Sequence, residues 1–279
     1  MRPSGRTTGP ATRWEIARPS RTSPLPGVDM AGFRIDEPAS LRAIPHPAVT
    51  VAFEFAGRSF DIDAEGSPGS MRSAAIAAGL AFGAFQVRAG GVECVQIRLS
   101  PPVALSVLGL PLAELRDNVI PLDDLWGRDA PRLRDRLHHA RTWHERFALI
   151  EAELSRRLSA GTTADPEVAW TWRQIVASRG KTQVGDLAAR TGWSRQRLWS
   201  RFAAQFGLSP KRAAMLVRFD HAVHRLVDGH APARVAAEGG YADQSHLHHD
   251  IRAFAGTTPS LAEAEPWLTA DERAWPEPR

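Results

Sequence analysis

The segment "YADQSHLHHDIRAF", residues 241–254, places three of the chain's ten histidines within four positions. Imidazoles can hold a metal, move a proton or exchange hydrogen bonds with another molecule, and the neighbouring residue types discriminate among these. His246 and His249 stand at i and i+3, a spacing that chelates weakly on a helix, but no sulfur or acidic ligand is read as completing a set. His138, His139 and His144 lie among arginines and form no ligand set either. The single cysteine, Cys94, excludes an internal disulfide and a CxxC zinc framework, and its apolar setting, "VECVQIRL", assigns it to the core. There is no HExxH, no GxGxxG after a strand and no Ser-His-Asp arrangement, so the sequence predicts neither catalysis nor a metal or cofactor. The remaining chemistry for these histidines is hydrogen bonding to a partner.

Such a surface needs a helix to present it. In 235–254, "VAAEGGYADQSHLHHDIRAF", Gly240 supplies a turn, Tyr241 plugs the angle, Asp243 caps the next helix, and Leu247, Ile251 and Phe254 form its buried stripe. At 100° per residue from Leu247, Ser245 lies at about 160°, His248 at about 100° and His249 at about 200°, opposite that stripe, with His246 at its edge at about 260°. Residues 184–206, "VGDLAARTGWSRQRLWSRFAAQF", repeat the plan: Leu187 and Ala188, a turn at Gly192, Trp193 as plug, Ser194 as cap, and Leu198 and Phe202 buried. Gln196, Trp199 and Ser200 then face away from the core at about 160°, 100° and 200°, flanked by Arg195 and Arg197. Each segment reads as a helix-turn-helix. Between them "SPKRAAMLVRFDHAVHRLVDG" predicts a helix capped at Ser209 and ended by Gly229, about 30 Å long, close to the 34 to 36 Å or so between successive major grooves.

These features identify a resemblance. Residues 165–265 resemble the DNA-binding module of AraC/XylS-type transcription regulators, through "GWSRQRLWSRF", "FGLSP" and "GYADQSHLHHDIRAFAGTTP". The resemblance implies seven helices and base contacts from Arg195, Gln196, Trp199 and Ser200 in the first unit. In the second unit it implies contacts from Gln244, Ser245, His246, His248 and His249. Leu247 and Ile251 stand where the family commonly has phenylalanine, and His249 where arginine is usual. The second unit is therefore expected to bind more weakly, with a dependence on pH. Arg197, Arg201, Lys211, Arg212 and Arg252 are assigned to phosphates. Between 181 and 212 there are seven basic residues against one acid, Asp186, a local excess that the net charge of +4 conceals.

The chain of 279 residues suits two domains, and 43% hydrophobic with 24% charged residues is the composition of a folded protein. Residues 1–29, rich in Arg, Pro, Ser, Thr and Gly, read as a mobile tail. Residues 30–164 read as a small β-rich domain with closing helices, for effector sensing or oligomerisation. Within it "AVTVAFEFAG" predicts a strand, and "AFGAFQVRAGGVECVQIRLSP" predicts two strands joined at Gly90-Gly91. "VIPLDDLWG" predicts an apolar loop, while "SPPVALSVLGLPLAEL", "APRLRDRLHHA" and "TWHERFALIEAELSRRLSAG" predict helices. Phe53, Phe55, Phe82, Phe85 and Trp126 are assigned to packing rather than to an effector pocket, so no effector residue is named. "GTTADPEV" marks the boundary, with Asp165 as cap and Pro166 as first helical residue; 165–265 is all helix and 266–279 a proline-containing tail.

The expected fold class is α+β. The expected partners are double-stranded DNA, RNA polymerase, a small-molecule effector and a second copy of the chain. No run of about 18 apolar residues predicts a membrane span, and the N-terminus has no secretory apolar core, so a cytoplasmic protein is expected. The alternative is a metal-responsive or protein-binding helical module. A last alternative is an enzyme of the DNA-repair methyltransferase type, some of which carry the same module behind a zinc-held acceptor cysteine, but these need several cysteines where this chain has one.

Overall fold

The computed structural model describes residues 15–21, 23–64, 70–80, 85–115, 118–256 and 274–275. Its N-terminal part is built on β1 (Glu15–Ala17), β2 (Val28–Ala43), β3 (Val49–Glu54), β4 (Phe60–Ala64), β5 (Met71–Ser73), β6 (Ala75–Ala78), β7 (Phe85–Leu99) and β8 (Val119–Pro121). The pairings are antiparallel, in the order β1-β2-β7-β3-β6-β8, with β4 joining β5 to β7.

The strands read as two separate runs around Gly90-Gly91 are one. β7 runs on along β2, with Ile35 opposite Val92 and Pro38 opposite Gly90, so the glycines mark a bulge rather than a turn. Gly91 takes φ +84, and a β-carbon there would meet the Asp36 carbonyl oxygen at 3.0 Å and Arg58 Nη1 at 2.2 Å. Only glycine fits that corner. The segment "VIPLDDLWG" is also not a loop: Val119–Pro121 pairs with β6, and α2 (Leu122–Trp126) follows. Three residues are too few to display a strand period. Part of the segment read as an N-terminal tail belongs to the sheet as well, since Glu15–Ala17 pairs with Gly32–Arg34 and β2 starts at Val28.

Side-chain alternation gives the sheet two apolar faces. Val28, Met30, Val49, Val51, Phe53, Val95, Ile97 and Leu99 face α1 (Pro101–Leu108), α2, α3 (Asp129–His139) and α4 (Trp143–Ala160). Phe53 meets Trp126 at 5.8 Å between ring centroids, and Phe55 meets Trp143 at 5.9 Å, so these aromatics are core. On the second face lie Ala31, Phe33, Ala52, Phe60, Ile62, Ile76, Val92 and Cys94, with Phe85 packed against them. Phe82 lies outside the described residues. Burial raises the Cys94 thiol well above its ordinary range. α1 stops at Leu108 on left-handed Gly109, and a separate 3-10 helix, Leu112–Leu115, follows. α4 begins with a complete capping box between Thr142 and Glu145.

After Gly161 the fold is helical: α5 (Pro166–Ala177), α6 (Val184–Thr191), α7 (Arg195–Phe206), α8 (Pro210–Val227), α9 (Pro232–Gly239) and α10 (Gln244–Ala255). These are six of the seven helices implied, and the positions left for another lie outside the described residues. Asp165 precedes α5 but does not cap it through its side chain, because its carboxylate is engaged by Arg201. No helix among the described residues is long and apolar enough to cross a membrane.

Candidate nucleic-acid interface

Each unit is fixed by local rules that its residues satisfy. Gly192 ends α6 at φ 69, the Ser194 hydroxyl accepts from the Arg197 amide, and Leu198, Phe202 and Phe206 bury the inner face of α7. Gly240 ends α9 at φ 76, the Asp243 carboxylate accepts from the His246 amide at 2.8 Å, and Leu247, Ile251 and Phe254 bury the inner face of α10. Such caps contribute about 1 kcal/mol each. α8 lies between the units, capped by Ser209 with Pro210 in its first turn. Its 18 residues give a rod of about 27 Å. Lys181 ties the units together, donating to the Glu238 carbonyl oxygen at 2.6 Å.

On α7, Arg195, Gln196, Arg197, Trp199 and Ser200 are all exposed. Trp199 is 56% exposed, too much for a residue whose role is packing. Arg197 stacks over Trp193, 4.5 Å from the ring centroid, and the Arg195 guanidinium lies against Gly185, where a β-carbon would stand 2.7 Å from Nη2. Arg201 differs from the other assigned cations. Its Nε and Nη2 donate to the two Asp165 oxygens at 2.7 and 2.9 Å, which lowers the Asp165 pKa, and the Asp165 amide in turn donates to Gln205 Oε1 at 2.9 Å. Arg201 therefore anchors α7 to the segment leading into α5. Lys211, Arg212 and Arg252 are exposed.

On α10 the three histidines part company. His249 is exposed, as are Gln244 and Ser245. His248 Nε2 stands 3.3 Å from the Gln244 amide nitrogen, a contact in which the amide donates and the neutral ring accepts. His246 turns back instead: its ring meets Tyr241 edge-on at 5.3 Å, Nδ1 accepts from the Ala242 amide at 3.4 Å, and Nε2 lies 4.0 Å from Asp250. No three His, Cys, Asp or Glu side chains among the described residues converge as a metal set.

Asp250 was not singled out from the sequence. It is 1% exposed, accepts from Arg218 Nη2 at 2.9 Å, and Arg218 also covers the Tyr241 ring at 4.5 Å. Burial raises the Tyr241 hydroxyl above its ordinary range. The node Arg218–Asp250–Tyr241–His246 thus locks α10 onto α8. An acid inside an otherwise apolar stripe was the available signal. A second device holds α9: Arg225 and Arg234 both pair with Glu238, bringing its pKa down to about 2.

Two units of this form, each a short helix, a left-handed glycine and a capped second helix with a polar outer face, define a helix-turn-helix protein. Residues 187–263 match a family model described as a helix-turn-helix domain, within the region that resembles the AraC-type module. A 64-residue stretch is 34% identical to the uncharacterized HTH-type transcriptional regulator YbfI of Bacillus subtilis, spanning 23% of this chain and only 23% of that relative. The fold is similar to that of ToxT from Vibrio cholerae, with a TM-score of 0.50 at 11% identity over 85% of this chain and 98% of the other. A ToxT structure with bound unsaturated fatty acid gives 0.50 at 10% identity over 88% and 97%. The mixed α+β architecture is shared along nearly the whole chain.

Proposed function

We propose that this protein is a sequence-specific transcription regulator that reads double-stranded DNA with α7 and α10 in successive major grooves. The observation that carries the reading is the pair of capped helices, joined by the single rod α8, whose outer faces keep Gln196, Trp199, Ser200, Gln244, Ser245 and His249 in solvent. Side chains of these types donate and accept at base edges, while Arg197, Lys211, Arg212 and Arg252 position the module on phosphates. Arg201 contributes to binding by holding α7 through Asp165.

The N-terminal sheet and its helices would take a small-molecule effector, a reading supported by the fatty acid bound in the similarly folded ToxT. α7 is placed to receive such a signal. Phe206 and Leu208 share a core with Leu112 and Leu115, and at Gly207 a β-carbon would meet the Leu112 carbonyl oxygen at 2.8 Å. RNA polymerase and a second copy of the chain are the protein partners we assign to it, in a cytoplasmic setting.

Selection of bound sequences from random DNA tests the reading. A preferred site with two half-sites one helical turn apart is expected, and Gln196→Ala should lose about 1 to 3 kcal/mol of discrimination at one or two base pairs. Lys211→Ala should weaken binding to all sequences and reduce the salt slope by about 1. No enrichment over random sequence would reject the reading.

A further inference from the structure

The second apolar face of the N-terminal sheet holds residues from the far end of the chain. Ala274, 3% exposed, is buried with Ala31, Phe33, Ala52, Ile76 and Cys94, and Trp275 packs against the same cluster. The strand register explains why an indole can sit there. Asp29, Arg98 and Thr50 form one rung of this face, and Ala31, Gln96 and Ala52 form the next. The two methyl side chains leave room that larger residues would fill. Arg98 meets the ring itself, its guanidinium carbon 4.6 Å from the indole centroid. Beside it, burial raises the Asp29 carboxyl while Arg98 opposes the shift, so this end of the seat is polar and partly shielded.

The grip is specific in kind. The indole Nε1 is buried and finds no hydrogen-bond partner among the described residues, so the contacts they supply to Trp275 are ring contact and the arginine face. A ring in water would keep that donor satisfied, so the seat must offset the cost of stranding it.

We propose that Ala274–Trp275 is an intramolecular latch, with Trp275 as its aromatic anchor, seated on the second face of the N-terminal sheet. The latch does not rest on the DNA-binding reading, because its test involves no DNA.

The test uses the full-length Trp275→Ala chain and a synthetic peptide of residues 266–279. Amides of Asp29–Phe33 and Cys94–Arg98 should exchange at least fivefold faster in this variant than in the unaltered chain, and the peptide added in trans should restore the slower rate. The variant should capture the peptide at least tenfold more tightly than the unaltered chain, whose seat is filled. A Trp275→Phe chain, which keeps a ring over Arg98, should behave as the unaltered protein. If Trp275→Ala does not fold, Trp275→Leu takes its place, keeping apolar bulk without the ring. Unchanged exchange in the Ala or Leu variant, or equal capture by the variant and the unaltered chain, overturns the latch.

Discussion

Breaking the Arg218–Asp250 pair from either side should cost unequally. The Asp250 side chain is 2% exposed and Arg218 is 17% exposed, with 2.9 Å between their charged atoms. Removing the carboxylate, in Asp250→Ala, leaves a guanidinium on a long stem that can bend toward water. The loss is then that of one charged hydrogen bond, about 1.5 to 3 kcal/mol. Removing the guanidinium, in Arg218→Ala, strands a carboxylate that cannot reach water, a change that costs about 3 to 5 kcal/mol in buried pairs generally. Urea unfolding followed by circular dichroism measures this, and Arg218→Ala should be the weaker variant by about 2 kcal/mol. The pair Arg218→Met with Asp250→Leu should be more stable than Arg218→Ala alone. Equal losses for the two alanine variants would refute the claim that a buried charge locks α10.

Three further outcomes follow from the same geometry. Trp199→Ala removes a side chain that is 56% exposed, so it should change stability by less than about 0.5 kcal/mol in a thermal melt while weakening binding to the selected site by about 1 to 3 kcal/mol in a gel-shift titration. Gly207→Ala places a β-carbon 2.8 Å from the Leu112 carbonyl oxygen at φ +79 and should cost about 1 to 3 kcal/mol in urea; a neutral result would show that α7 does not abut the 3-10 helix. Asp165 and Glu238, the latter at about 2, both titrate in the folded protein below their unfolded values. Their contribution is therefore present above about pH 4.5 and lost as pH falls toward 2, and Glu238→Gln with Asp165→Asn should flatten the melting temperature over that range.

How much of this could be read from the sequence depended on the range of the interactions. The helix-turn-helix units rest on contacts within four residues: Ser194 and Asp243 cap, Gly192 and Gly240 turn, and Leu198 with Phe202, or Leu247 with Ile251, bury one stripe. Each is visible without knowledge of the rest of the chain. The sheet rests on pairing partners far away. Gly90-Gly91 looks the same in a turn and in a bulge, and only the residues of β2 opposite, where Asp36 and Glu37 stand against Gly91 alone, decide which it is. The eight short residues of β8 and α2 likewise acquire their conformation from β6. The site shows the same division. Exposure of Gln196, Trp199, Ser200 and His249 follows from helical angle, whereas the capture of Arg201 by Asp165 and of Arg218 by Asp250 joins residues 36 and 32 positions apart.

Those long-range pairs also make the two units unequal in a way their similar sequences do not. The inner side of α7 is held by Asp165 in the segment leading from α4, and its C-terminal glycine lies on the carbonyl of Leu112, so its setting depends on the N-terminal fold. α10 is held by Arg218 of α8, and α9 by Lys181 and by Arg225, all of which belong to the helical region. A movement of the 3-10 helix therefore acts on α7 directly and reaches α10 through α8. The helix with the denser set of arginines is the one in contact with the N-terminal fold. The helix bearing the histidines is held by α8.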